Sequence, residues 1–360
     1  MTGAGGGGFA ACVWRERRPG SAGWRENGRE KIVEAGMEVR RGEREKRRAL
    51  VLLSGGLDSM LACEVLRRCG VEVFGIAFKS PFFGGAKAEK AASYLGVPLV
   101  VVDITEPHLE VVKKPRFGYG KNLNPCIDCH ALMVAQALAE MEKLQADFLA
   151  TGEVLGERPK SQNREALAQV ARASGAGELL LRPLSARLLP ETRPEREGWV
   201  DREKLLDISG RSRRRQMDLA QKWGITEYEN PAGGCLLTDA GFSSRLEELL
   251  RRVPECDRRD VELIKLGRQV WRGNTLLVVG RRHEENLGLE EIALPSDALC
   301  RERERPGPTA LLRPFPRGTP PVFADLREAA RLLGLYGKTK KPLEVEEIVI
   351  YSGSEGTRQG

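Results

Sequence analysis

From Ala49 onward the chain alternates short, continuous apolar runs with segments whose apolar residues recur at helical spacing. "ALVLL" (49–53) predicts a strand and residues 58–69 a helix. "EVFGIAF" (72–78) predicts a second strand, and "GAKAEKAASYLG" (85–96) a helix closed by Gly96. "PLVVVDI" (98–104) reads as a third strand. A loop of about twenty residues follows, then an amphipathic helix, "HALMVAQALAEMEKL" (130–144), and a fourth strand, "ADFLATGE" (146–153). Strands that are apolar throughout and separated by helices are buried on both faces, which implies a parallel sheet. In such sheets ligands bind beyond the carboxyl ends of the strands, where the strand order reverses. Ser-Gly-Gly at 54–56, the "FKSPFFGG" loop (78–85) and Thr-Gly-Glu at 151–153 all fall at that edge.

The pattern divides the chain into an α/β domain with helices on both faces of its sheet (49–177), a helical, arginine-rich extension (178–255) and a smaller C-terminal α+β domain (256–352). Residues 1–48 and 353–360 lack periodicity and are expected to be disordered. Met37 is a candidate initiator, and the "GAGGGG" near the start has no strand before it and no helix after it, so it is no dinucleotide loop. At 360 residues and 41% hydrophobic content the chain can bury real cores, and no apolar run reaches the roughly 18 residues of a membrane span. A cytoplasmic protein is expected. The net charge is +7, but residues 1–48 hold 12 basic against 7 acidic side chains, leaving +2 for the rest. Local arginine clusters, not global charge, must therefore argue for nucleic acid.

Glycines at a strand end permit a sharp turn and expose consecutive N–H groups, and the next helix adds the positive end of its dipole. "SGGLDS" (54–59) is thus an anion cradle with two hydroxyls, yet it lacks the GxxxxGK[ST] pattern of the Walker loop. It resembles the signature of the PP-loop, or N-type ATP pyrophosphatase, superfamily. That resemblance implies that Ser54, Gly55, Gly56, Asp58 and Ser59 cradle the pyrophosphate of ATP, with Mg2+ screening its charge, while AMP is transferred to a substrate oxygen.

Eight cysteines in a chain without a secretion signal are expected to be thiols or metal ligands. Cys126 and Cys129 stand two residues apart before a helix, whose N-terminus should lower their pKa. Cys235 follows about a hundred residues later in "PAGGCLLTD" (231–239). Three readings compete: zinc with His130 as a fourth ligand, a persulfide and disulfide relay, and a 4Fe-4S cluster on three cysteines with one iron open to sulfide. The cluster is the reading favoured here. Together with "SGGLDS" the three cysteines resemble the tRNA sulfurtransferases, or thiouridylases. "LATGEVLGERPKSQN" (149–163) is similar to a motif of tRNA 4-thiouridine synthetases, implying that Thr151, Gly152, Glu153 and Gln162 line the nucleotide site. Neither that family's N-terminal RNA-binding module before Ala49 nor a rhodanese-like domain is recognisable, which weighs against a relay.

Four arginines in "GRSRRRQ" (Arg211, Arg213, Arg214, Arg215) predict phosphate contacts with RNA. "VELIKLGRQVW" (261–271), "LLVVGRRHEEN" (276–286) and "DLREAARLLGLYGK" (325–338) resemble the RNA-binding domain NFACT-R, implying an RNA-facing surface at Arg281, Arg282 and Asn286. The expectation is an ATP-dependent tRNA sulfurtransferase forming 4-thiouridine, with Asp58 and the three cysteines catalytic. Its partners would be tRNA and a sulfur donor, either sulfide or a cysteine desulfurase, and a homodimer stays open. The alternatives are a 2-thiouridylase, a PP-loop ligase or amidating enzyme acting on a small molecule, and a tRNA-binding protein with structural zinc. No glycine loop of the S-adenosylmethionine type follows a strand.

Overall fold

A computed structural model describes residues 46–228, 234–338 and 340–352. The expected disordered ends, apart from residues 46–48, lie outside the described residues, as does Gly233 beside Cys235. The first half contains β1 (Arg48–Leu52), α1 (Leu57–Arg68), β2 (Glu72–Lys79), α2 (Ala86–Leu95), β3 (Leu99–Asp103), α3 (Thr105–Lys113), α4 (Cys126–Met141), β4 (Phe148–Thr151), α5 (Arg164–Ala173) and β5 (Leu180–Leu181). The strands form one parallel sheet in the order β3-β2-β1-β4-β5. Order reverses between β1 and β4, so the crevice opens beyond Leu52 and Thr151.

Strand alternation explains why helices cover both faces. Ala49 and Val51 of β1 and Phe148 and Ala150 of β4 pack with α1 and α2, while Leu50 and Leu149 pack with α4 and α5. The predicted fold class stands.

Two boundaries differ from expectation. Residues 105–113, within the stretch expected to be a loop, form α3; Pro107 sits in its first turn, where a proline is tolerated. Helix α4 begins four residues before the expected His130, so both cysteines of the pair are helical.

The second half continues with α6 (Arg193–Arg196), α7 (Arg214–Lys222), α8 (Ala240–Arg252), α9 (Arg258–Leu263), β6 (Arg268–Arg272), β7 (Thr275–Val279), α10 (His283–Ile292), β8 (Ala298–Glu302), β9 (Ala310–Pro314), α11 (Phe323–Tyr336) and β10 (Ile348–Ser352). Irregular backbone and short turns fill much of 178–213, so the extension is less helical than its patterning suggests. Strands β6 to β10 form an antiparallel sheet in the order β10-β8-β9-β7-β6.

This sheet is also buried on both faces. Leu277, Val279 and Leu312 pack against Ala329 and Leu333 of α11. Leu276, Val278 and Leu311 join a core with Leu246 and Leu249 of α8 that also takes in Phe82, Leu109, Val112 and Leu237. The expected boundary at 255/256 therefore lies inside a shared core, and the described residues belong to one compact unit.

Arg313 of β9 is fully buried between Asp297, 2.7 Å from Nη2, and Asp260 of α9, 3.1 Å from Nη1, and it also donates to the Ile292 carbonyl. Its removal would leave the Asp297 carboxylate buried without its cation, whereas Asp260 would keep Arg317 at 2.6 Å. Arg313→Ala should therefore lower stability by about 3–5 kcal/mol, read from the urea unfolding midpoint.

Candidate active site

Between β1 and α1 the chain turns at Gly55, whose φ of +83° suits glycine alone at low cost. A Cβ there would also lie 2.4 Å from the Lys87 carbonyl oxygen. The turn is tied internally: Ser59 Oγ donates to the Gly56 carbonyl at 2.8 Å, and the Ser54 amide donates to Ser59 Oγ at 3.3 Å. Asp58 lies in the first turn of α1, near the positive helix end. Beyond β4, a Cβ on Gly152 would stand 2.5 Å from the Ser59 amide nitrogen, so only glycine lets that strand exit lie against the elbow. Ser54, Gly56, Asp58, Ser59, Thr151, Gly152, Glu153 and Gln162 all line one cavity of about 410 Å3, of a size that takes a small ligand.

Cys126, Cys129 and Cys235 line the same cavity. The first two enter on the opening turn of α4, behind a loop whose Arg116 and Phe117 amides donate to the buried Asp128 carboxylate. The Leu236 amide donates to the Phe82 carbonyl at 3.0 Å, and Asn122 donates to the Thr238 carbonyl at 2.7 Å. Leu237 is anchored in the shared core. Three segments distant in sequence thus converge.

Burial sets the thiols' chemistry, against expectation. Desolvation pushes the Cys129 thiol far above its ordinary value, and the nearby Cys235 and Cys126 sulfurs add to the effect. Burial likewise raises Cys235 to about 11. The helix terminus does not win at Cys129, because the thiol is packed away from water.

Each sulfur of the pair nevertheless has a nitrogen neighbour. Asn124 Nδ2 donates to Cys126 Sγ at 3.1 Å, and His108 Nε2 lies 2.8 Å from Cys129 Sγ. His108, on the unforeseen helix α3, sits among the Phe82 and Phe83 rings with Ser80 on its other nitrogen, and burial lowers its pKa to about 4. Sequence carried one signal for it, a histidine in an apolar run ("PHLEVV"). His130 Nδ1 is held 2.7 Å from Glu153 Oε1, so Nε2 is the nitrogen it presents to the cavity. Among the described residues no group of three His, Cys, Asp or Glu is arranged to hold a single metal ion.

Glu153 is a hub beneath the cavity. It accepts from Arg182 Nε at 2.9 Å and from Thr151 Oγ1 at 3.0 Å, besides its contact with His130. Burial alone would raise its pKa, but the Arg182 guanidinium and His130 outweigh burial and hold it at about 2.

The predicted RNA contacts separate. Arg211 and Arg214 are exposed; Arg215 is exposed but pairs with Asp207 at 2.6 Å. Arg213 turns into the cavity, 3.9 Å from Asp58 and 4.0 Å from Glu157. Arg281 and Arg282 are exposed, with Arg281 paired to Glu285 at 2.7 Å. Asn286 is half-buried and engaged within the fold, accepting from the Thr309 amide at 3.0 Å and donating to the Gly307 carbonyl at 3.3 Å.

Residues 47–175 match the family model described as "tRNA methyl transferase HUP domain". Among curated proteins, the tRNA-specific 2-thiouridylase MnmA of Sulfurimonas denitrificans is 37% identical over 116 residues, 29% of this chain and 34% of that protein. MnmA of Bartonella quintana is 30% identical over 141 residues, 34% of this chain and 35% of that protein. The chain spans about a third of the length of these relatives. Among solved structures, a 4-thiouridine synthetase–RNA complex with bound ATP aligns with a TM-score of 0.38 at 22% identity, covering 61% of this chain and 52% of that one.

The depressed pKa of Glu153 makes a pH-dependent contribution. Its pairing stabilises the fold fully above the ordinary value of 4.5 and is lost as pH falls toward about 2. Glu153→Gln should cost about 3–5 kcal/mol at pH 7. Urea midpoints should show the gap between variant and wild type narrowing across that acid window.

Proposed function

We propose that the protein is an ATP-dependent tRNA thiolation enzyme. The observation that carries this reading is the opening of a phosphate-cradling elbow and three cysteines into one cavity. The names of the partial relatives, tRNA 2-thiouridylases, point the same way.

A uridine carbonyl oxygen is a poor leaving group. In the reaction proposed, that oxygen attacks the α-phosphorus of ATP, the α–β bridge breaks and pyrophosphate departs into the elbow of Ser54, Gly55, Gly56 and Ser59. Asp58, whose buried Oδ1 has no partner, would hold the magnesium that offsets the phosphate charge. Sulfur then bonds to the activated carbon, and the C–O bond breaks to release AMP. Cys126, Cys129 and Cys235 deliver that sulfur. Their donor set, with nitrogen groups beside two of the sulfurs, fits an iron–sulfur cluster. When bound it would present an iron for exogenous sulfide.

The exposed Arg211 and Arg214, with Arg281 and Arg282 on the C-terminal domain, would contact the RNA backbone as the NFACT-R likeness implies. The product carries two readings: Thr151-Gly152-Glu153 resembles the 4-thiouridine synthetases, whereas the curated relatives are named for 2-thiouridine.

Asp58→Ala should abolish tRNA-dependent pyrophosphate release while leaving tRNA affinity, measured without nucleotide, within about twofold. Equal loss of both would make the elbow a structural turn, and turnover on free metabolites without tRNA would favour a small-molecule ligase. Digestion of reacted tRNA to nucleosides and mass spectrometry separates 4-thio- from 2-thiouridine. Anaerobically purified protein should carry about four irons per chain. Stoichiometric zinc in their place would remove the cluster from the scheme.

A further inference from the structure

The run "GRSRRRQ" reads as one basic cluster, but the turn splits it into an outer and an inner part. Outside stand Arg211 and Arg214. Inside stand Arg213 and, one helical step on, the fully buried Gln216. Among the described residues six buried side-chain polar atoms have no hydrogen-bond partner. Four of them are Asp58 Oδ1, Arg213 Nε and the two amide atoms of Gln216. A buried polar group left unpaired costs about 1–3 kcal/mol; Gln216 lies beside the Asp58 carboxylate without satisfying its Oδ1, so the cluster of Asp58, Arg213 and Gln216 points to a polar ligand.

A plain counter-ion role for Arg213 does not account for the geometry. An arginine serving only to neutralise Asp58 and Glu157 would close to about 2.7–2.9 Å. Here the separations are 3.9 and 4.0 Å, with Nε unpaired. The gap suits an anion that satisfies the guanidinium and brings a cation for the carboxylate, as a magnesium-bound phosphate does. The turn is also fastened to the far wall of the cavity: the Gly210 amide donates to the Leu155 carbonyl at 2.8 Å, two residues before Glu157. Behind it, Ala220 of α7 packs into the core shared with α1.

We infer that Arg213 and Gln216 close the polyphosphate site opposite the elbow, so that the turn from Arg211 to Gln216 joins the nucleotide to the RNA-facing surface and makes ATP and tRNA bind cooperatively. This rests on the tRNA-thiolation reading. RNA held on Arg211 and Arg214 fixes the same turn that Arg213 needs to meet phosphate, and linkage makes the effect reciprocal.

The test uses the full chain, magnesium and α,β-methylene-ATP, which resists cleavage at the reacting bond, titrated calorimetrically with and without unmodified tRNA transcript. Wild type should bind the analogue at least about fivefold more tightly with tRNA present. Arg213→Ala should weaken the analogue by about tenfold or more and erase the tRNA effect. Arg213→Lys, which keeps the charge but not the fork, should fall between the two. Should the alanine variant unfold, the lysine variant decides. Wild-type analogue affinity in the folded Arg213 variants sinks the clamp, and equal wild-type affinity with and without tRNA sinks the coupling. Either result leaves the thiolation reading standing. Failure of wild type to bind the analogue at all takes down both.

Discussion

Two backbone contacts hold the candidate site together, and both exclude a side chain. Gly55 lies against the Lys87 carbonyl and Gly152 against the Ser59 amide, at separations no Cβ could occupy. Through them the exits of β1 and β4 and the start of α2 meet at the point where strand order reverses. Widening either contact would part the elbow from Thr151 and Glu153. The shape of the elbow is thus a consequence of close packing among three segments, and the helix terminus alone would not make it.

The second organising feature is the core around α8. Phe82, Leu109 and Val112 come from the parallel-sheet half, Leu237 from the segment after Cys235, and Leu276, Val278 and Leu311 from the antiparallel sheet. The C-terminal sheet therefore buttresses the cavity wall that carries Cys235. Arg313 bears on the same arrangement at a distance, because its pairing fixes α9 to β9 within that half.

The parallel sheet was legible because β1, β2 and the half-buried edge strand β3 read as unbroken apolar runs between helical periods. The tight turn at 54–56 was legible too, since a glycine pair at the end of an apolar run marks a sharp strand-to-helix connection. What sequence could not supply was depth. The same position at a helix start raises or lowers a thiol's pKa according to whether water reaches it, and Cys129 is buried. Nor could it show that Arg213 turns inward while Arg211 and Arg214 face out, because a run of like charges carries no periodic mark of which member is enclosed. Helix α3, and His108 with it, was obscured by a proline in its first turn and the glycine-rich stretch that follows.

The seating of Cys129 has a temporal implication. Its sulfur backs onto His108, and His108 is closed off behind by Phe82 and Phe83. Under the proposed chemistry, a reagent reaching that sulfur and the base to be converted would both enter the cavity that Cys129 lines. Replenishing sulfur and converting a base would then take turns in one space. The catalytic cycle is then paced by the departure of one large visitor before the next arrives.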